Sequence, residues 1–285
     1  MSPRPRTALY GAAAATGLAV LTWFADFHVG FLIRTDHSIL AGFAGLQRPA
    51  VDGPANFIAQ LCDPQPYVYL AVLPVLVALV RGRPRVAVMI GAVMLGANVS
   101  SQVLKPLLAA PRGPGLPGPF VQAASWPSGH ATAVMTLVLC AVIAAPARWR
   151  PVVAAFMSAF AIAVCYAFLS LGWHLPSDVL GGFEVAAVWV LLGVAGLGWL
   201  EQRHPAPRRA DARPRRAQIS VAEALAPMAL LILLVLMAAA VIALLRPEPV
   251  VGYAAAHKLF ILGAAAIAGL GLALAAAATV ALRQS

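Results

Sequence analysis

The residues of this chain that could do chemistry fall into two short segments, Trp126–His130 and His174–Asp178, each directly before an apolar stretch. In the second segment a carboxylate follows an imidazole by four residues. It could bind one ring nitrogen, fix the tautomer and leave the other nitrogen free to attack. Two histidines, one oriented by an acid and one beside an anion site, suit a double displacement at phosphorus. His174 would attack, and His130 would protonate the leaving alcohol.

The first segment has the features of an anion site. Gly129 lets the backbone come close to a ligand, and the first N–H groups of the helix that follows would face the anion at the positive end of the helix dipole. Upstream in the same loop, Lys105 offers a point charge and Arg112 a planar fork suited to phosphate oxygens. The alternative is an ordinary helix start capped by Ser128 or His130, with Lys105 and Arg112 as snorkelling interfacial cations.

The composition places these segments in a membrane protein. Hydrophobic residues make up 61% of the chain and charged residues 11%, and the mean hydropathy is +0.85; no ordinary water-soluble domain approaches these values. The net charge of +10 comes from basic residues in short segments between apolar runs, which argues against nucleic acid as a partner. Cys62, Cys140 and Cys165 have no metal-ligand spacing, and neither a metal nor a cofactor is expected.

Eight apolar stretches predict an all-α, polytopic membrane helix bundle. The second and fourth are short, which predicts extension into flanking residues or tilt. We interpret the first as a retained anchor, and the segment Asp36–Leu46 as a helix along the interface. The eight stretches are Ala8–Phe24, Tyr67–Val80, Val86–Leu104, Ala131–Ala145, Val152–Leu171, Val179–Leu200, Val221–Leu245 and Leu259–Leu282.

The basic residues predict the orientation. With the N-terminus inside and eight spans, most of the Lys and Arg residues fall on one side of the membrane, which the positive-inside rule makes the cytoplasm. Four loops then lie outside: Ala25–Pro66, Lys105–His130, Gly172–Asp178 and Arg246–Lys258. Both chemical segments are in the second and third of them. We predict a six-span core over residues 1–200, a basic cytoplasmic linker over 201–218 and two additional C-terminal helices over 219–285. The inside residues are Arg4, Arg6, Arg81, Arg83, Arg85, Arg148, Arg150, the run Arg203 to Arg216, and Arg283.

Three ordered motifs resemble a known family. Lys105-Pro-Leu-Leu-Ala-Ala-Pro-Arg112, Pro127-Ser128-Gly129-His130 and His174-Leu-Pro-Ser-Asp178 are similar in order and interval to the signature motifs of the type 2 phosphatidic acid phosphatase superfamily. The similarity covers about Ala8–Leu200. It implies an integral membrane hydrolase that acts without metal on a lipid-linked phosphate or diphosphate, at the extracytoplasmic face of the cell membrane.

The resemblance also implies a role for each residue of the motifs. His174 would be the nucleophile that becomes phosphohistidine, and Asp178 would orient it. His130 would be the general acid for the leaving group and then the base for water. The phosphoryl oxygens would be bound by Lys105, Arg112, Ser128 and the Gly129 amide.

The chain departs from the family pattern at two places. Arg112 is followed by Gly113 where the first motif normally has proline. The third motif normally opens with Ser-Arg, but this chain has Ala167 and Phe168 there, so one expected phosphate-binding arginine is missing. Losing a preorganised donor can cost about 10²- to 10³-fold in rate. We expect a pocket repacked around Phe168.

Other functions remain open from the sequence. A lipid phosphotransferase would use the same intermediate, and a weakly active or inactive lipid-binding member is favoured by Phe168. A transporter would need polar residues through the span interiors, whereas most of the polar candidates here lie at one face. Polyprenyl diphosphate, phosphatidylglycerol phosphate and phosphatidic acid are all possible substrates, and no residue chooses among them.

Overall fold

A computed structural model describes residues 5–111, 121–205 and 219–283, and all regular secondary structure in these residues is helical. The predicted all-α class is confirmed. The helices are α1 (Pro5–His28), α2 (Gly30–Ala44), α3 (Pro49–Gln60), α4 (Pro64–Val80), α5 (Pro84–Leu107), α6 (Gly129–Ala144), α7 (Arg150–Ser170), α8 (Pro176–Arg203), α9 (Val221–Leu245), α10 (Pro247–Ala256) and α11 (Lys258–Leu282).

Six of the described helices are long and apolar enough to cross a membrane, namely α1, α5, α7, α8, α9 and α11. Helices α3 and α4 meet at a bend of 57° and would together make a seventh span, while α6, with 16 residues, is shorter. The two short predicted stretches are therefore α4 and α6. The chain is a multi-pass membrane protein. Each of the eight predicted stretches corresponds to a described helix, but six helices, or seven with the bent pair, meet the length and hydropathy of a span, so the count of eight spans stays a prediction.

Two segments that we predicted only in part are helical over a different range. Helix α2 begins at Gly30 rather than near Asp36, and its position along the interface stays a prediction. The predicted outside loop Arg246–Lys258 contains the ten-residue helix α10. Proline stands in the first turn of α10, as it does in α4, α5, α7 and α8. Proline suits this position because its φ is fixed in the helical range and because the N–H that it lacks would have no acceptor there.

Helix α6 lies at the centre of the bundle. Almost all of its residues are buried, as expected for a helix that is apolar on every side. It packs against α4, α5, α7, α8 and α11. At Gly182 of α8, an added Cβ would lie 2.8 Å from the Ser128 carbonyl oxygen and 2.7 Å from the Ala131 Cβ. The glycine therefore allows the close approach that brings the second and third motifs together.

Four arginines bind helix ends at one end of the bundle. Arg81 donates to the Ala144 carbonyl at the end of α6, and Arg150 donates to the Leu282 carbonyl at the end of α11. The other two bonds run from Arg83 to Ile143, at 3.3 Å, and from Arg85 to His204, at 2.6 Å. Cations suit these positions because the last carbonyls of a helix lack intrahelical donors and carry partial negative charge. All four arginines belong to the group that we predicted on one side.

The C-terminal helices pack on the rest of the bundle through α11, which contacts α2, α6 and α7, and through α9, which contacts α7. The Phe260 ring meets the Phe43 ring edge-on with centroids 4.8 Å apart, and the Tyr166 hydroxyl donates to the Ala264 carbonyl at 2.6 Å. Helix α9 has only Ala224 and Met228 buried, so its apolar surface is available to lipid. The division of the chain into a core, a linker and two additional helices stays a prediction.

Candidate active site

His174 and Asp178 form a buried pair at the start of α8. The His174 Nδ1 lies 3.2 Å from the Asp178 Oδ2, and the same carboxylate oxygen accepts the Leu175 N–H at 2.9 Å. The Asp178 side chain is fully buried, and His174 is 7% exposed. Because the carboxylate holds Nδ1, the ring can present Nε2 to a substrate. The contact expected from the spacing is present, and the nucleophilic role remains a prediction.

A carboxylate that sequence reasoning missed anchors this turn. Asp36 of α2 accepts the Ser177 backbone N–H at 3.0 Å and the Ser177 hydroxyl at 2.7 Å. Burial raises the pKa of the Asp36 carboxyl, and the negative charge of Asp26 raises it further. Helix α2 thereby fixes the first turn of α8, which carries Asp178.

Ser128 joins the second motif to the third. Its backbone N–H donates to the Asp178 carbonyl at 2.9 Å, and its hydroxyl oxygen accepts the Ala131 N–H at 3.3 Å as the N-cap of α6. The alternative predicted from the sequence, that Ser128 caps the start of α6, is therefore present in the structure. A hydroxyl that accepts one hydrogen bond still has a proton to donate, so capping is compatible with the predicted contact to phosphate.

His130 has an acidic partner that sequence reasoning also missed. The His130 Nε2 lies 2.9 Å from Oδ1 of Asp63, which directly precedes α4. The imidazole is 20% exposed and the carboxylate 41% exposed. Burial, and then the neighbouring His174, lower the pKa of His130, while the Asp63 carboxylate opposes this shift and orients the ring. His130 and Asp63 are 67 positions apart, so no local spacing could have predicted the pair.

Lys105 lies against the first turn of α6. A Cβ added at Gly129 would be 3.5 Å from the Lys105 Nζ and 2.7 Å from the Gln102 Nε2. A cation and an amide donor therefore stand beside the helix N-terminus that we predicted to bind phosphate. Sequence reasoning missed Gln102, which is one helical turn before Lys105 on α5. Arg112 lies outside the described residues.

Phe168, in the last turn of α7, lies against both histidines. Its ring is fully buried, with its centroid 5.3 Å from that of His174 and 5.8 Å from that of His130. The two imidazole centroids are 6.2 Å apart, and Trp173 covers His130 at 5.7 Å. Position 168 is therefore in the site, where the aromatic ring of Phe168 stands in place of the arginine that the family pattern would have.

Together, these groups can hold and transfer a phosphoryl group. One imidazole is held by a buried acid, the second by a half-exposed acid, and a lysine stands next to the first-turn amides of α6. Among the described residues, no three His, Cys, Asp or Glu side chains are placed to share a metal ion.

Comparison with known proteins gives one family match and one similar solved structure. Residues 85–201 match the model of the PAP2 superfamily, and this stretch contains every predicted site residue from Lys105 to Asp178. This segment is similar to the PAP2 superfamily. A crystal structure described as the first transmembrane PAP2 type phosphatidylglycerolphosphate phosphatase, from Bacillus subtilis, matches the fold with a TM-score of 0.56 and 19% identity, over 70% of this chain and 100% of that chain. No curated protein sequence matches.

The match also shows what lies outside the PAP2 segment. Asp36 and Asp63 both precede residue 85, and each binds a residue of the PAP2 segment: Asp36 binds Ser177, and Asp63 binds His130. The N-terminal helices of this chain therefore supply acids that brace the second and third motifs.

Proposed function

We propose that this protein hydrolyses a phosphate or diphosphate monoester carried by a membrane lipid, through a phosphohistidine at His174 and without a metal ion. The observation that carries the proposal is the meeting of two acid-supported histidines at one site, with Lys105 beside the N-terminus of α6. The phosphatase description of the B. subtilis protein supports the same reaction class.

The reaction runs in two displacements. The His174 Nε2 attacks phosphorus while the bond from phosphorus to the leaving oxygen breaks, and His130 gives its proton to that oxygen. His130 then takes a proton from water, the water oxygen attacks phosphorus, and the bond from phosphorus to nitrogen breaks. Inorganic phosphate leaves, and His174 is restored. Asp178 stabilises the charge on His174, while Lys105 and the α6 amides stabilise the charge that develops on the phosphoryl oxygens.

The location of the site supports hydrolysis at the extracytoplasmic face of the cell membrane. His130 and His174 lie at the starts of α6 and α8, whereas the carbonyls bound by Arg81 and Arg85 lie at the ends of these helices. The site and the arginines are therefore at opposite ends of the bundle. The positive-inside rule assigns the arginine end to the cytoplasm.

A panel of purified lipid phosphates tests the proposal. We expect the detergent-solubilised protein to release inorganic phosphate from at least one lipid monoester, at a rate that neither a chelator nor an added acceptor lipid changes. Phosphoryl transfer to the acceptor in place of phosphate release would identify a phosphotransferase. No turnover of any lipid would identify a non-catalytic member, which the aromatic ring of Phe168 in the site would explain.

Asp63 gives a prediction specific to this chain. Asp63→Asn removes the negative charge that holds His130 and favours its protonated form, so we expect kcat to fall by up to about 10²-fold, a part of the 10²–10⁴ that a general acid contributes. KM should change little. The measurement is steady-state release of inorganic phosphate, once from a water-soluble phosphate monoester and once from the lipid phosphate.

The matched control is Asp52→Asn, which changes an acid on α3 whose contact is the Arg48 N–H. Asp63→Glu should recover part of the activity, because it restores the charge. Equal kcat values for Asp63→Asn and Asp52→Asn would show that the contact with His130 has no catalytic role.

A further inference from the structure

A long groove runs from the candidate site along the seam between α4 and α5. Its volume is about 810 Å³, which is within the range of sites that hold whole small-molecule ligands. Lys105, Gly129 and His130 line one end of it, and the remainder is lined mainly by apolar side chains of α4 and α5. A cavity with a phosphate-binding end and an apolar body has the polarity of a lipid phosphate.

The groove extends past the middle of α5. On α5 its lining extends from Lys105 back to Gly91, a distance of about 21 Å along the helix axis. Because α5 runs from Pro84 to Leu107, Gly91 lies about 7 Å beyond the centre of the helix. With α5 centred in the bilayer, a chain that filled the groove from the site would pass the midplane.

The groove opens sideways to the bilayer. Among its lining residues, Val68 is 57% exposed, Leu95 68% and Val99 53%, so an apolar rim faces outward. In the wall, the Asn98 amide donates to the Tyr67 hydroxyl at 3.3 Å and to the Met94 carbonyl at 2.8 Å. Because these polar groups bind each other within the wall, the surface that a hydrocarbon would meet is largely apolar.

We propose that this groove binds the hydrocarbon tail of the substrate as one extended chain that reaches beyond the midplane, which makes a long polyprenyl phosphate or diphosphate the preferred substrate class. The proposal rests on the proposed function, since it assigns the tail of the lipid whose phosphate meets His130 and Lys105. A diacyl lipid phosphate has two chains that end near the midplane, so neither would fill the far end of the groove.

Gly91→Leu tests the far end. A Cβ at Gly91 meets nothing within 4 Å, so a leucine fits there and occupies space that the chain terminus would use. We expect kcat/KM of the wild-type protein to rise with polyprenyl chain length until the groove is full. In Gly91→Leu, the ratio of kcat/KM for the longest chain to that for the shortest should fall by about 10-fold. This is the lower end of the change in specificity that a small change of volume in an apolar pocket produces.

The matched control is Gly196→Leu, at a glycine of α8 that also has nothing within 4 Å of an added Cβ and does not line this groove. Its chain-length profile should equal that of the wild-type protein. A flat wild-type profile, a preference for phosphatidic acid over the long polyprenyl lipid, or equal profiles for the two leucine variants would overturn the proposal.

A photolabel separates this proposal from the proposed function. A long polyprenyl phosphate with a diazirine at its far end is bound to the full-length protein in nanodiscs, irradiated and mapped by peptide mass spectrometry. We expect labelling near Gly91 on α5 and Val75 on α4, whether or not the lipid is hydrolysed. Labelling confined to other helices would overturn the tail site even if phosphate were released, whereas labelling at the groove without turnover would overturn the hydrolase alone.

Discussion

His174→Asn should lower phosphate release by at least about 10⁴-fold, because the loss of a catalytic nucleophile in comparable covalent mechanisms costs 10⁴ to 10⁶ in kcat. Asparagine is smaller than histidine but keeps an amide donor near the position of Nδ1, and Asp178 would keep its bond to the Leu175 N–H. The fold of the turn should therefore persist while the attacking nitrogen is absent. The measurement is single-turnover phosphate release, with circular dichroism and thermal unfolding to verify the fold.

His204→Asn is the matched control, since His204 is exposed and lies at the arginine end of the bundle. It should retain wild-type kinetics. His130→Gln should lie between the two, with a loss of about 10² to 10⁴ that becomes smaller for substrates whose leaving group needs no proton. A His174→Asn rate within tenfold of the wild-type rate would show that another residue attacks phosphorus.

Phe168→Arg should reduce both folding stability and activity, although it restores the arginine of the family pattern. The Phe168 side chain is fully buried and packs on the rings of His130 and His174. A guanidinium in this place would lose its water, at a cost of several kcal/mol, unless an anion were bound. It would also repel the protonated form of His130, which the mechanism requires.

Phe168→Leu is the matched control, because it keeps an apolar side chain of smaller volume and should fold. The measurements are expression in the membrane fraction, thermal unfolding with and without phosphate, and kcat/KM for a simple lipid phosphate. A several-fold gain in kcat/KM for Phe168→Arg, at unchanged expression, would show that the site lacks only the arginine and has not been rebuilt around the ring.

Local spacing explains which contacts of the site were predictable from the sequence. Asp178 follows His174 by four residues at a helix start, so one turn of backbone brings the carboxylate to the ring. Ser128 and Gly129 precede a long apolar run, which marks both the N-cap and the anion site. Hydropathy alone was enough to predict the eight apolar stretches that the structure shows as helices, because backbone polar groups in lipid must be satisfied within helices.

The contacts that were missed depend on tertiary packing. Asp63 reaches His130 across 67 residues, and Asp36 reaches Ser177 across 141 residues. Each acid lies in or beside a short helix before the motifs, and nothing in its local sequence identifies its partner. The length of the α4–α5 groove was also unpredictable, since it depends on how two antiparallel helices separate rather than on the pattern of either one.

The most direct test of the central claim is to trap the phosphoenzyme. The wild-type protein is mixed with a lipid phosphate labelled at phosphorus, quenched in alkali within the first turnover and digested for peptide mapping. We expect a transient, acid-labile phosphoryl group on His174 that forms before phosphate is released and is absent from His174→Asn. Phosphate release with no labelled protein at any time, or a phosphoryl group on a residue other than His174, would contradict the mechanism.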